Sequence, residues 1–196
     1  MQAVNPIVAA DSLPSIPYVE ARHYTRGRKR PRTLGAVIHC TDGAEGDKTA
    51  EDCAAMFHKG WDDPKLWRSA TEVWDGNSGV RCVPLDCRAY HCGHNGNDSY
   101  LGLELCGRAN QTREQWLDAK SLPMLRMAAR RFAELCKEFD FPAVYADYTA
   151  VRAQTKGITT HLDISRAWGQ TSHKDPGPGF PLADFIEAVR ICRATL

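Results

Sequence analysis

Apolar positions recur along the chain in two periods, and the switches between them mark the elements. The stretch GAVIHCT (35–41) opens on a glycine, is rich in β-branched residues and reads as a buried strand. TAEDCAAMFHKG (49–60) takes up a helical period: Thr49 and Asp52 stand in capping-box spacing, Cys53, Met56 and Phe57 fall on one stripe, and Gly60 stops it. ATEVW and VRCVPL flank DGNSG and predict a hairpin. YLGLELCG (100–107) alternates with period two. Leu101, Leu103 and Leu105 therefore share one face, and Gly102, Glu104 and Cys106 the other.

Thr112 and Gln115 form a second capping-box pair, and Pro123 reads as a break. Beyond it Leu125, Ala128, Ala129, Phe132, Leu135, Cys136 and Phe139 recur at helical spacing, which predicts the longest helix. GITTH (157–161) predicts a short strand that delivers His161 at its end, and PLADFIEAVRIC (181–192) an amphipathic helix with Leu182, Phe185, Ile186 and Val189 inward. Strands and helices are interspersed, a hairpin is present and no repeat is visible. The expected class is α/β, a single domain with a central mixed β-sheet flanked by α-helices. Residues 1–32 carry several prolines and little periodicity, and read as an irregular extension to a domain spanning 33–196.

Composition narrows the partners. A net charge of +1 gives no global field toward nucleic acid or a membrane surface. The basic run RGRKRPR (26–32) reads as a solvated linker; neither it nor RMAARR (126–131) has the aromatic interleaving of a nucleic-acid binder. No apolar run approaches the ~18 residues of a spanning helix. The first residues lack the basic and apolar regions of a signal peptide. The eight cysteines read mainly as buried thiols in a reducing compartment.

Three features carry candidate chemistry. His39 lies inside a buried strand, where an imidazole needs a partner to offset desolvation. Glu104 stands in mid-strand, with Gly102 two residues before it leaving open space on its face. The polar stretch HLDISRAWGQTSHKDPGPGF (161–180) reads as a loop that holds His161, His173 and Asp175, with prolines stiffening its exit. Imidazoles with a carboxylate suit zinc, and three protein ligands with one open position is the catalytic arrangement. A rival grouping lies in Cys82, Cys87, His91, Cys92 and His94, but its spacing lacks a second knuckle for structural zinc.

The stretches VIHCT, VRCVPLDCRAYHCGH, NDSYLGLELCG and THLDISRAWGQTSHKDPGPGFP occur in an order that resembles the zinc-dependent N-acetylmuramoyl-L-alanine amidases of type 2. That group shares its fold with peptidoglycan recognition proteins and many phage lysins. The resemblance covers roughly residues 33 to 190. It implies one catalytic Zn²⁺ held by His39, His161 and Asp175, with Glu104 as the catalytic acid and base. It puts His173 at a position often held by lysine, where it would stabilise an oxyanion, and His91 and Asn97 near the substrate groove. The substrate implied is peptidoglycan, cut between N-acetylmuramic acid and L-alanine. The agent implied is a monomeric phage endolysin domain, made in the host cytoplasm, released to the wall during lysis and not inserted in the membrane.

The chain departs from the family pattern at Ala70-Thr71-Glu72, where an aromatic or histidine often faces the metal. Glu72 is the reserve carboxylate should Glu104 not act as base. The alternative function is a non-catalytic peptidoglycan-binding module of the same fold. Retention of all three candidate ligands and of Glu104 favours the enzyme.

Overall fold

The structure is a computed structural model that describes residues 5–27 and 33–196. Most of the basic run and the first four residues lie outside the described residues. The chain order is β1 (Tyr24–Thr25), β2 (Gly35–Cys40), α1 (Thr49–Lys59), a 3-10 turn (Pro64–Leu66), β3 (Glu72–Trp74), β4 (Gly79–Arg81), β5 (Arg88–Ala89), α2 (His94–Ser99) and β6 (Tyr100–Leu105). It continues with α3 (Arg113–Trp116), α4 (Ser121–Glu138), α5 (Tyr148–Arg152), β7 (Gly157–Thr160), α6 (His161–Trp168) and α7 (Leu182–Thr195). Five strands form one mixed sheet in the order β4-β3-β6-β2-β7, as the α/β reading expects. Neighbours pair in parallel except β3 with β4, the predicted hairpin.

Alternation sorts the side chains of β2 and β6 between the two faces. Ala36, Ile38, Leu101, Leu103 and Leu105 join the larger apolar cluster, which α4 and α7 cover. Phe132 of α4 meets Phe185 of α7 edge-on, with ring centroids 5.3 Å apart. Val37 and Tyr100 join a smaller cluster with Ile164 and Ala167 of α6 and Val151 of α5. That second face also carries His39 and Glu104. Because β2 is a parallel central strand buried on both faces, it tolerates a histidine only where a partner awaits it.

Four local expectations are corrected. Thr49 and Asp52 form no capping box: Thr49 lies inside α1, its hydroxyl donates to the Gly46 carbonyl at 2.7 Å, and the buried Asp75 accepts from the Ala50 amide at 3.0 Å. The inward face of α1 is Ala50, Ala54 and Phe57, whereas Met56 is exposed. Pro123 does not break α4; it sits in the first turn, where its missing N–H has no helical partner to lose. Cys106 follows the end of β6 and packs in the larger cluster rather than on the face of Glu104.

The capping box at Thr112 and Gln115 forms as read. All eight cysteines are free thiols, seven of them buried. Residues 5–23 are irregular yet attached, and Tyr24–Thr25 pair with β5: Ile7 is buried, and the amides of Val19 and Ala21 donate to the carbonyls of Arg81 and Cys82 at 2.9 and 2.8 Å. They cover the β4 edge, which would otherwise stand open for pairing. Among the described residues no helix is long and apolar enough to cross a membrane.

Candidate metal and catalytic site

Strand register brings the site together. His39 on β2 lies opposite Glu104 on β6, and Ile38 lies opposite Thr160 on β7, so His161 emerges beside His39. These are carboxyl ends of parallel strands, where open α/β sheets place their ligand sites. Thr160 then caps α6, its hydroxyl accepting from the Asp163 amide at 3.2 Å. The stretch expected as a loop from 161 is therefore helical to Trp168, and the loop proper begins after it.

That loop returns Asp175 under the two histidines. Asp175 Oδ2 lies 3.1 Å from His39 Nδ1, and Oδ1 lies 3.1 Å from His161 Nδ1. The adjoining prolines and glycines hold the exit against residues 109–112. Gly177 has φ +91°, and a Cβ there would stand 1.8 Å from the Ala109 carbonyl oxygen. The Asp175 carbonyl also accepts from the Leu162 amide at 3.2 Å, tying the loop to α6.

His39, His161 and Asp175 are all buried, and their donor atoms lie within 4.8 Å of one another. Burial pushes the His39 imidazole down to about 4, so it stays neutral in the ordinary range. Burial alone would raise the Asp175 carboxyl; the imidazoles of His161 and His39 beside it outweigh that and hold the carboxyl far below its usual range. Two imidazole nitrogens and a persistent carboxylate, enclosed and convergent, are a donor set that fits zinc.

Glu104 is partly exposed as a residue, but its Oε2 is enclosed and meets no hydrogen-bond donor. Burial, with Asp175 adding repulsion, pushes its carboxyl up to about 8. An enclosed carboxyl that titrates near neutrality beside a polar cluster can take and return protons. His173 is 65% exposed at its side chain and stacks on His161, centroids 4.5 Å apart and planes 7° apart. Its Nδ1 lies 3.7 Å from Asp175 Oδ1.

The rival cysteine-histidine run is scattered. Cys82 packs in the larger cluster, and His94 Nδ1 lies 3.1 Å from Arg88 Nη2. Among the described residues only His91 and Cys92 of this run approach a third donor, and that donor is His39. Burial raises the Cys92 thiol well above its ordinary value. His91 Nδ1 lies 2.8 Å from His39 Nε2, and Asn97 Oδ1 accepts from the amides of His91 and Cys92.

Glu72, the reserve carboxylate, pairs in register with Leu103 and so faces away from Glu104. It is fully buried and bound by Arg81, Arg131 and the Trp74 indole. Thr71, beside it, accepts from the Gly102 amide at 3.1 Å. Sequence reading missed two further groups: Thr171 Oγ1 lies 3.2 Å from His161 Nε2 and 2.6 Å from Ser165 Oγ. Their only signal is their place in the polar stretch.

The profile of the N-acetylmuramoyl-L-alanine amidase family matches residues 29–178. The chain belongs to this family. An amidase of this family hydrolyses the amide between N-acetylmuramic acid and L-alanine of peptidoglycan. No curated protein sequence matches significantly. Solved structures share the fold at low identity. The Staphylococcus aureus hydrolase AmiA superposes with a TM-score of 0.73 at 16% identity, covering 93% of this chain and 84% of its own. An AmpD derivative gives 0.62 at 20%, covering 93% and 98%. The N-acetylmuramoyl-L-alanine amidase LysC from Clostridium intestinale gives 0.56 at 14%, covering 88% and 95%. The amidase fold is thus retained here with little sequence in common.

Proposed function

We propose that this amidase works with one zinc ion, held by His39, His161 and Asp175, and that Glu104 and His173 perform the proton transfer and charge stabilisation. The observation that carries the reading is the convergence of three buried donor atoms within 4.8 Å, with an unpartnered Glu104 oxygen on the neighbouring strand. Zinc in such a site supplies Lewis acidity toward a carbonyl oxygen and a water.

An amide resists hydrolysis because its carbonyl is a weak electrophile and its amine a poor leaving group. Glu104 addresses the second difficulty. Its carboxylate takes a proton from the attacking water and returns one to the departing L-alanine amine, so it ends each turnover as it began. His173, open to solvent on one side and stacked on His161 on the other, donates an N–H to the oxyanion that forms from the carbonyl. Asp175 stays ionised throughout and contributes its own oxygen beside the two histidines.

The proposal includes a catalytic unit at 33–196 with residues 5–25 as a cover for the β4 edge, acting as a monomer and serving as an endolysin. Digestion of purified peptidoglycan tests the reaction. New amino-terminal L-alanine should appear while glycan strands stay intact, and a chelator should abolish it, with about one zinc per chain in the active protein. New reducing sugar ends without free amino-terminal alanine would overturn the reading.

A further inference from the structure

We propose that His91 is a positioning residue: it fixes the tautomer of His39 through a hydrogen-bond relay anchored on the Tyr100 backbone carbonyl. This rests on the reading of His39 as a metal ligand.

The direction of the relay is set by which groups can donate. His91 Nε2 lies 3.3 Å from the Tyr100 carbonyl oxygen, and a carbonyl only accepts. In that bond His91 carries its proton on Nε2. A neutral imidazole has one N–H, so His91 Nδ1 is an acceptor. Across from it, at 2.8 Å, stands His39 Nε2, which must then be the donor. His39 Nδ1 is left with a bare lone pair, directed at Asp175 Oδ2 from 3.1 Å. Two electron-rich atoms facing each other at that distance call for a cation between them. The relay thus prepares His39 Nδ1 to bind metal, without a proton to displace.

The surroundings support the relay at each step. A Cβ on Gly102 would lie 2.5 Å from His91 Cγ and Nδ1, so the space beside Glu104 that the sequence leaves open is where the His91 ring lies. The Asn97 side-chain carbonyl accepts from the amides of His91 and Cys92 at 2.9 and 2.8 Å, holding the segment that carries the ring. The two rings meet edge-on, 85° between planes. Cys92 Sγ, 3.7 Å from His91 Nε2, is a more distant and weaker acceptor than the carbonyl. His161 differs: its Nε2 faces the Thr171 hydroxyl, which can donate or accept and so imposes no tautomer. His39 is the preset ligand of the pair. The resemblance places His91 and Asn97 by the substrate groove; their hydrogen bonds assign them this inward task.

The test measures zinc affinity of refilled metal-free protein by competition with a chromophoric chelator, on the wild type and on His91→Phe and His91→Asn. Loss of an outer partner of a ligand histidine weakens binding about 10- to 100-fold, the drop expected for His91→Phe. His91→Asn keeps a side-chain carbonyl that can accept from His39 and should recover part of it. On the zinc-loaded wild type, nitrogen NMR should find His39 protonated at Nε2, with coupling across the bond to His91 Nδ1; this readout stands even if a variant fails to fold. A folded His91→Phe with unchanged zinc affinity overturns the relay, as does a zinc-loaded His39 without a proton on Nε2. Equal losses in Phe and Asn also overturn it, as does a raised KM at unchanged affinity. Wild-type protein that takes no zinc overturns the metal reading itself, an outcome distinct from all of these.

Discussion

His39 and Glu104 stand directly opposite each other on the parallel strands β2 and β6, with the same face of the sheet behind both. One belongs to the buried donor cluster, and the other has an enclosed oxygen without a donor. This separation predicts different losses. Glu104→Ala should keep zinc and lose ~10²–10⁴ in rate, the range for a missing general base. Asp175→Ala removes a charged ligand, so zinc content and rate should fall together. Paired metal analysis and amidase assays on folded variants decide; full activity in Glu104→Ala would remove it from the mechanism.

A second prediction concerns pH in the chelator-treated protein. The folded-state carboxyl of Glu104 titrates near 8, against an ordinary value of 4.5. Between those values the unfolded chain has lost the proton that the folded protein retains. Stability from this group therefore falls as pH rises from about 4.5 and levels off above about 8. Glu104→Gln cannot ionise and escapes the loss. Its melting temperature relative to the wild type should rise across that window. The rise should be equivalent to a few kcal/mol at most, reduced by the exposed edge of the carboxyl. A constant difference from about pH 5 to about pH 9 would contradict the assignment.

The Glu72 cluster predicts a purely structural effect. Arg131 and Arg81 both donate to Glu72 Oε1, at 2.9 Å each, and Glu72 is fully buried. Removing one member of a buried pair leaves its partner uncompensated, at a cost of about 3–5 kcal/mol. Denaturant unfolding of Glu72→Gln should show a loss of that order, while activity per folded molecule stays unchanged. A selective fall in kcat at wild-type stability would return Glu72 to the catalytic candidates.

The strands β2 and β6, and the separation of Glu104 from Leu101, Leu103 and Leu105 across β6, were legible because alternation in a strand is set by backbone geometry alone. The buried helix stripe of α4 was legible for the same reason. What escaped depends on contacts between segments distant in sequence. The phase of α1 is set by Asp75, 25 residues beyond the amide it accepts from, so the local Thr49 and Asp52 pattern misleads. Gly102 reads as open space along the strand, but only the fold brings the His91 ring into it. The helical start at His161 did have a local signal, the Thr160 hydroxyl three residues before Asp163, obscured by the polarity of residues 169–175.

His173 supplies the last prediction, which separates stacking from hydrogen-bond donation. Its ring lies nearly parallel to that of His161, 7° between planes, yet most of its side chain is open to solvent. A purely packing role would be served by any flat apolar ring. A role at the oxyanion needs an N–H near the reacting carbonyl, which lysine can also offer at this position. His173→Ala should therefore retain zinc and lose about 10²–10³ in kcat, the typical cost of one oxyanion donor. His173→Phe keeps a ring to stack on His161 but has no donor, so it should be as slow as the alanine variant. His173→Lys loses the stack and keeps a donor, so it should recover much of the rate. Steady-state kinetics on a defined muramyl-peptide, with zinc content measured alongside, distinguish the two roles. A phenylalanine variant as fast as wild type, with the lysine variant slow, would make His173 a support for His161 rather than a participant in the reaction.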